Sequence, residues 1–227
     1  MKQLQDYLYY RESNPDIEIY LGDCLEILPL MEKENVNLVI TDPPYGKKLD
    51  LKWLSQMNLA QGKNANKSDE RILNDEGNLY LDWIFEFKKF IIFGFPYIQN
   101  LNGKASGWLV WDKQPGIDRR GIITPVEMAM TNCWTGFDII RCMWSGYYRD
   151  NNEFRYKHPT QKPLKLFKIL IQENSKEINL ILDPFLGSGT TLVACKELNR
   201  YGIGIEISEE YCKIAVNRLK NTQRMML

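Results

Sequence analysis

Four short, mostly apolar runs, each followed closely by an acid, constrain this chain more than any other feature. IEIYL (17–21) is followed by Gly22 and Asp23, VNLVIT (36–41) by Asp42, INLIL (178–182) by Asp183, and YGIGI (201–205) by Glu206. Runs of that length, rich in Ile, Leu and Val, suit strands buried on both faces of a parallel sheet. Helical text lies between them. CLEILPLMEKE predicts a short helix, and LYLDWIFEFKK predicts one with Leu81, Ile84, Phe85 and Lys88 on one side. PLKLFKILIQEN predicts a helix with Pro163 at its first position, GSGTTLVACKELN a turn and helix, and Ser208 caps a last helix carrying Tyr211, Ala215 and Leu219 on one face. FIIFG (90–94), GWLVW (107–111), VEMAM (126–130) and FDIIRCMW (137–144) add strands that predict an antiparallel end to the sheet. The expected fold is α/β: one domain over 1–227, a mixed but mostly parallel sheet, and helices on both faces.

With 227 residues, 44% of them hydrophobic, the chain can bury one sizeable core or at most two small ones. Lys plus Arg and Asp plus Glu each count 29, which excludes coating of a polyanion by bulk charge and requires a local patch instead. The charge is sorted along the chain. Residues 16–34 and 173–210 are acidic, whereas 141–168 hold seven basic side chains against Asp150 and Glu153. The polar, turn-rich stretch 46–78 reads as a mobile insertion, and Arg119 and Arg120 sit in a surface turn. Cys24, Cys133, Cys142, Cys195 and Cys212 form no CxxC pair, and His158 is the only histidine, so no metal site is expected and the thiols read as reduced. The first sixteen residues lack an apolar core and no run reaches the roughly 18 apolar residues of a membrane span. A soluble, cytoplasmic protein with no membrane partner is expected.

Ligands of open α/β sheets bind beyond the carboxyl ends of the strands. Gly187-Ser188-Gly189 runs from a strand into a helix, so its backbone can approach a ligand closely. No lysine follows it in the manner of a phosphate-binding GxxxxGK[ST] loop, and it is shorter than GxGxxG. Glu206, at the end of the next strand, can accept both hydroxyl protons of a ribose, and the pair implies an adenosine-type cofactor. Asp42-Pro43-Pro44-Tyr45 is more specific. Two prolines fix the backbone and remove its donors, leaving a wall of carbonyl and carboxylate acceptors that suits an amino group with two hydrogens. Such a wall favours the tetrahedral form of an exocyclic amine, with its lone pair aimed at an electrophile. Tyr45 adds a face on which a base can stack, worth about 1–3 kcal/mol.

These motifs resemble the amino DNA methyltransferases, which move a methyl group from S-adenosylmethionine to adenine N6 or cytosine N4. The resemblance spans nearly the whole chain, through GDCLEIL (22–28), TDPPYG (41–46), HPTQKP (158–163), DPFLGSGTT (183–191) and GIEIS (204–208). DPPY precedes the cofactor loop, as in the circularly permuted β group of that Rossmann-like family. The resemblance implies Asp42, Pro43, Pro44 and Tyr45 at the target amine. It implies Asp183, Phe185, Gly187, Ser188, Gly189, Thr190 and Thr191 about the methionine end of the cofactor, with His158, Thr160 and Lys162 lining it and Lys162 or Thr191 near its carboxylate. Glu206 with Ile207 would hold the ribose, and Asp23 with Cys24 the adenine. Asp rather than Ser before Pro-Pro-Tyr favours adenine N6, although both amines fit the wall. None of the five cysteines follows a proline, unlike the thiolate of carbon-5 enzymes.

Reaching an amine inside a duplex requires extruding the base. Lys47, Lys48 and Lys52 in the insertion, and Arg149, Arg155 and Lys157 in a short recognition loop over 144–157, are the expected DNA contacts. The implied partner is double-stranded DNA, with a restriction endonuclease system and a homodimer as further expectations. The alternatives are an N4 enzyme, an RNA adenine methyltransferase and an inactive nucleic-acid-binding module.

Overall fold

The computed structural model describes residues 2–44, 81–94, 105–116, 124–145, 148–150 and 153–223. Tyr45, the insertion 46–78 with Lys47, Lys48 and Lys52, Arg119 and Arg120, and residues 146, 147, 151 and 152 of the recognition loop lie outside the described residues.

Strands β1 (Leu8–Glu12), β2 (Ile17–Leu21), β3 (Leu38–Thr41), β4 (Phe90–Phe93), β5 (Gly107–Asp112), β6 (Val126–Thr131), β7 (Gly136–Arg141), β10 (Leu180–Asp183) and β11 (Tyr201–Glu206) form one nine-stranded sheet. A separate pair, β8 (Trp144–Ser145) and β9 (Tyr148–Arg149), follows β7. The sheet order is β1-β2-β11-β10-β3-β4-β6-β5-β7. β2, β11, β10, β3 and β4 are mutually parallel, β1 and β6 run against their neighbours, and β5 and β7 are parallel to each other. Strand order reverses between β10 and β3, since β11 lies beyond one and β4 beyond the other. That is the point at which a doubly wound sheet opens a crevice.

Alternate residues of the central strands feed two cores. Ile17, Ile19, Leu38, Ile40, Ile91 and Phe93 meet Leu166, Leu170, Leu192, Cys212 and Leu219 of helices α2 (Leu164–Asn174), α3 (Thr190–Glu197) and α4 (Glu209–Asn221). Val39, Phe90, Ile92, Leu182 and Ile205 meet Cys24 and Ile27 of the one-turn helix α1 (Cys24–Ile27), with Ile84 and Phe87. Each fully buried side chain of this size contributes about 1.5–3 kcal/mol.

The mixed, mostly parallel α/β sheet is as expected. Several local details differ. Among the described residues the three longer helices share one face, and the other face carries only α1 and 3-10 turns. The expected helix after Cys24 stops after one turn because Pro29 follows, and continues as 3-10. The segment around Trp83 is a 3-10 run, Asp82–Glu86, that buries Ile84, with Leu81 and Phe87 buried on either side of it and Lys88 exposed. Its aromatic residues lose side-chain freedom in an α-helix, and the chain must turn at once into β4. Pro163 stands at the N-cap in extended conformation rather than at the first helical position. FDIIRCMW is split between β7 and β8. β1, which pairs antiparallel with β2, has no counterpart in the expected strands.

Candidate active site

The four acids of the sequence reading fall on four adjacent strands. β2 leads to Asp23, β11 ends at Glu206, β10 ends at Asp183 and β3 leads directly to Asp42, so one sheet edge carries them in that order. Register explains this: Glu206 pairs with Leu21 and Asp183 with Gly204.

Asp183 is a buried latch across the switch point. Its Oδ1 accepts from Thr41 Oγ1 at 2.7 Å and from the Phe185 amide at 3.1 Å, and its Oδ2 accepts from Thr191 Oγ1. Burial raises its pKa to about 6 against these donors. Glu206 accepts from the Gly187 amide at 2.7 Å and the Ser208 amide at 2.8 Å, and burial raises its pKa despite them. It thereby fixes the glycine turn from the neighbouring strand. Asp23 caps α1 by accepting from the Leu25 amide at 2.9 Å, and burial pushes the neighbouring Cys24 thiol up to about 12. Ile207, directly after Glu206, exposes its apolar side chain.

Gly187 and Gly189 are required by backbone and space together. Both have left-handed φ, +54° and +84°; a Cβ on the first would lie 2.7 Å from His158 Nε2 and one on the second 2.6 Å from Ala215 Cβ. His158 packs edge-on against Tyr211, its buried Nδ1 has no hydrogen-bond partner, and burial followed by Lys162, Arg218 and Arg155 lowers its pKa to about 3. Arg218, a residue absent from the sequence reading, reaches the turn from α4. Its guanidinium donates to Ser188 O at 2.9 Å, Ser188 Oγ at 3.1 Å and Thr190 Oγ1 at 3.0 Å, and lies over the Tyr156 ring. The signal for it was an arginine among the buried positions Cys212, Ala215 and Leu219 of an amphipathic helix.

On the other side of the switch point the chemistry changes. Pro43 is buried and Pro44 partly so, and Asp42 forms an ion pair with the buried Lys162 Nζ. Lys162 also lies 3.3 Å from Glu127 Oε2, and Glu127 Oε1 accepts from Lys113 Nζ at 2.9 Å. Burial alone would lower the Lys162 pKa, yet the two carboxylates hold it above the usual lysine value. Lys162 is thus engaged with Asp42 and Glu127, and the Thr191 hydroxyl with Asp183. Thr160 is partly buried, and Thr190 Oγ1 donates to Lys162 O at 3.2 Å, tying the HPTQKP segment to the glycine loop. Phe185 faces Trp83 with ring centroids 6.5 Å apart.

Of the expected DNA contacts, Arg149 donates to Glu153 O at 2.9 Å, Arg155 to Pro159 O at 3.1 Å, and Lys157 pairs with Glu210 at 3.2 Å. Arg155, Lys157 and the apolar ring of Phe154 are exposed together. Among the described residues no group of three His, Cys, Asp or Glu side chains could hold a metal ion, and no helix is long and apolar enough to cross a membrane.

Comparison with known proteins accords with this geometry. Residues 99–217 match the N6/N4 methyltransferase family model, described as DNA methylase. The type II methyltransferase M.HpaI of Haemophilus parainfluenzae is 32% identical over 90% of this chain and 74% of its own length. M.BglII of Bacillus subtilis is 42% identical over 94% of this chain and 76% of its own. Among solved structures, the M1.HpyAVI–SAM complex matches with a TM-score of 0.53 at 27% identity, covering 89% of this chain and 100% of that one. PvuII DNA methyltransferase, cytosine-N4-specific, matches in fold with a TM-score of 0.57 at 16% identity, covering 93% of this chain and 88% of that one.

Proposed function

The chain belongs to the N6/N4 DNA methylase family, and from that premise we propose that it transfers a methyl group from S-adenosylmethionine to the N6 amine of adenine in double-stranded DNA. The observation that carries this reading is the Asp42 carboxylate standing directly beyond β3 at the switch point, beside the acids of β10 and β11.

The donor set fits the cofactor. Glu206 offers a buried carboxylate to the ribose hydroxyls, Asp23 an acceptor to the adenine amine, and Ile207 and Phe185 apolar surface, while His158, whose Nδ1 is orphaned, sets its Nε2 against the glycine turn. When bound, S-adenosylmethionine supplies an electrophilic methyl group on a sulfonium. The residues at Asp42 do the rest. The Asp42 carboxylate and the Pro43 carbonyl accept the two amine hydrogens, so the nitrogen lone pair is held towards the methyl carbon. With the cofactor bound, the N–C bond would form as the C–S bond broke with its electron pair passing to sulfur, and the proton lost by the amine would pass to water beside the Asp42 carboxylate. Neither a metal nor a covalent enzyme intermediate is needed for that balance.

Phosphate contacts from Arg149, Arg155 and Lys157, with stacking on Tyr45 and closure by Lys47, Lys48 and Lys52, offset the few kcal/mol of base extrusion in this proposal. A restriction endonuclease reading the same site is the proposed system partner, in keeping with the type II names of the relatives. Labelled methyl transfer to genomic DNA followed by nucleoside analysis tests the reading. N6-methyladenine from the wild type, and none from Asp42→Ala, is expected. N4-methylcytosine would transfer the assignment to the other amine, and equal labelling by both proteins would refute the role of Asp42.

A further inference from the structure

We propose that Glu127 is a positioning residue for methyl transfer: held by Lys113, it fixes Lys162 so that the Asp42 carboxylate keeps the orientation an amine needs. This rests on the role of Asp42 proposed above.

The placement follows from strand direction. The parallel strands bring their last residues to the site edge, whereas the antiparallel β6 brings its first. Glu127 is the second residue of β6, and Lys113 lies one residue past the end of β5, its amide bonded to Pro125 O. β4 separates β3 from β6, and Lys162 bridges the gap by passing over the Phe93 ring, 5.7 Å from its centroid, at the end of β4. The result is an alternating chain of charges across four strand ends: Lys113, Glu127, Lys162, Asp42. Its formal sum is zero.

The two oxygens of Glu127 have different partners. Its Oε1 takes Lys113, but the buried Oε2 lies within ion-pair range of Lys162 with no aligned donor. What it supplies to Lys162 is charge. Without that second carboxylate the ammonium would be held by Asp42 alone, with nothing to fix where it sits beside the atoms the target amine must reach. Two lysines sharing one remaining acid would also leave a buried excess positive charge beside the incoming base.

Single-turnover methyl transfer by Glu127→Gln tests this, with cofactor affinity measured by calorimetry and DNA affinity by titration. A loss of about 10²-fold in rate is expected, the scale of a misaligned reacting group, with both affinities at wild-type values and part of the rate restored in Glu127→Asp. A wild-type rate, or a loss confined to cofactor or DNA affinity, overturns the inference. If Glu127→Gln does not fold, Lys113→Gln is read by the same criteria. Asp42→Asn in the same assay separates the two proposals. An inactive Asp42→Asn beside a fully active Glu127→Gln refutes only the role of Glu127, whereas a fully active Asp42→Asn refutes the reading on which it rests.

Discussion

His158 and Asp183 bracket the glycine turn and titrate in opposite senses, so replacing either should expose a pH dependence that the other conceals. Burial, reinforced by the cations of Lys162, Arg218 and Arg155, lowers the His158 pKa from 6.5 to about 3. The unfolded chain therefore binds a proton below pH 6.5 that the folded chain refuses. The stability contributed by His158 is complete above that pH and is lost as pH falls towards 3. Burial raises the Asp183 pKa from 3.8 to about 6. Here the folded chain keeps a proton that the unfolded chain releases, so the contribution is complete below pH 3.8 and is lost as pH rises through 6. Between pH 4 and 6 the two slopes cancel, each about 1.4 kcal/mol per pH unit.

Denaturant unfolding at half-unit intervals from pH 4 to 8 measures this as a difference from wild type, which removes groups common to both proteins. His158→Gln should gain relative to wild type on acidification, by about 2 kcal/mol between pH 6.5 and 4.5. Asp183→Asn should gain in the other direction, by about 2 kcal/mol from pH 4 to 6, and level off above that. Any constant offset between curves reports packing and has no bearing on titration. A His158→Gln difference that stays flat through pH 6 would refute the claim that the folded chain excludes that proton.

Gly189→Ala should cost about 2–5 kcal/mol in denaturant unfolding, combining a left-handed residue with a methyl forced onto the Ala215 backbone of α4, which cannot turn aside. Arg218→Met should cost about 3 kcal/mol, because it leaves Ser188 O without its charged donor, and should weaken S-adenosylmethionine binding in calorimetry by loosening the turn that Glu206 grips from the other side. Unchanged cofactor affinity in a destabilised Arg218→Met would limit that arginine to a structural role.

Much of this site was legible because parallel strands advertise themselves. A buried strand that ends in Asp or Glu and runs into a turn states its position and its chemistry together, as at Asp42, Asp183 and Glu206. Asp23 needed only one intervening glycine. The parts that were not legible share a cause. Glu127 opens an antiparallel strand, so its proximity to Asp42 depends on β6 lying two strands away, a fact of topology that no local pattern carries. Arg218 sits at a core position of α4, where periodicity predicts an apolar residue, and its partners are 28 and 30 residues earlier. The 3-10 run at Asp82–Glu86 departs from the expected helix for a related reason: its apolar spacing suits a helix, but the demand to enter β4 at Phe90 leaves no room for one.

The same topology divides the sheet edge electrically. On the β2, β11 and β10 side, Asp23, Glu206 and Asp183 have no ion-pair partner among the described residues and are satisfied by amides and hydroxyls. On the β3, β6 and β5 side Asp42 and Glu127 are matched by lysines and Asp112 by Arg141. A cationic cofactor and a neutral aromatic amine ask for different environments, and the edge supplies both. In the proposed reading uncompensated acids attract and hydrogen-bond the cofactor, while a neutralised chain of charges offers the amine its acceptors. The reversal of strand order between β10 and β3 is where one environment gives way to the other. In the proposed reaction the methyl group crosses from donor to acceptor at that point, so the Thr41 to Asp183 bond that joins the two strands would also set the distance between the two chemistries.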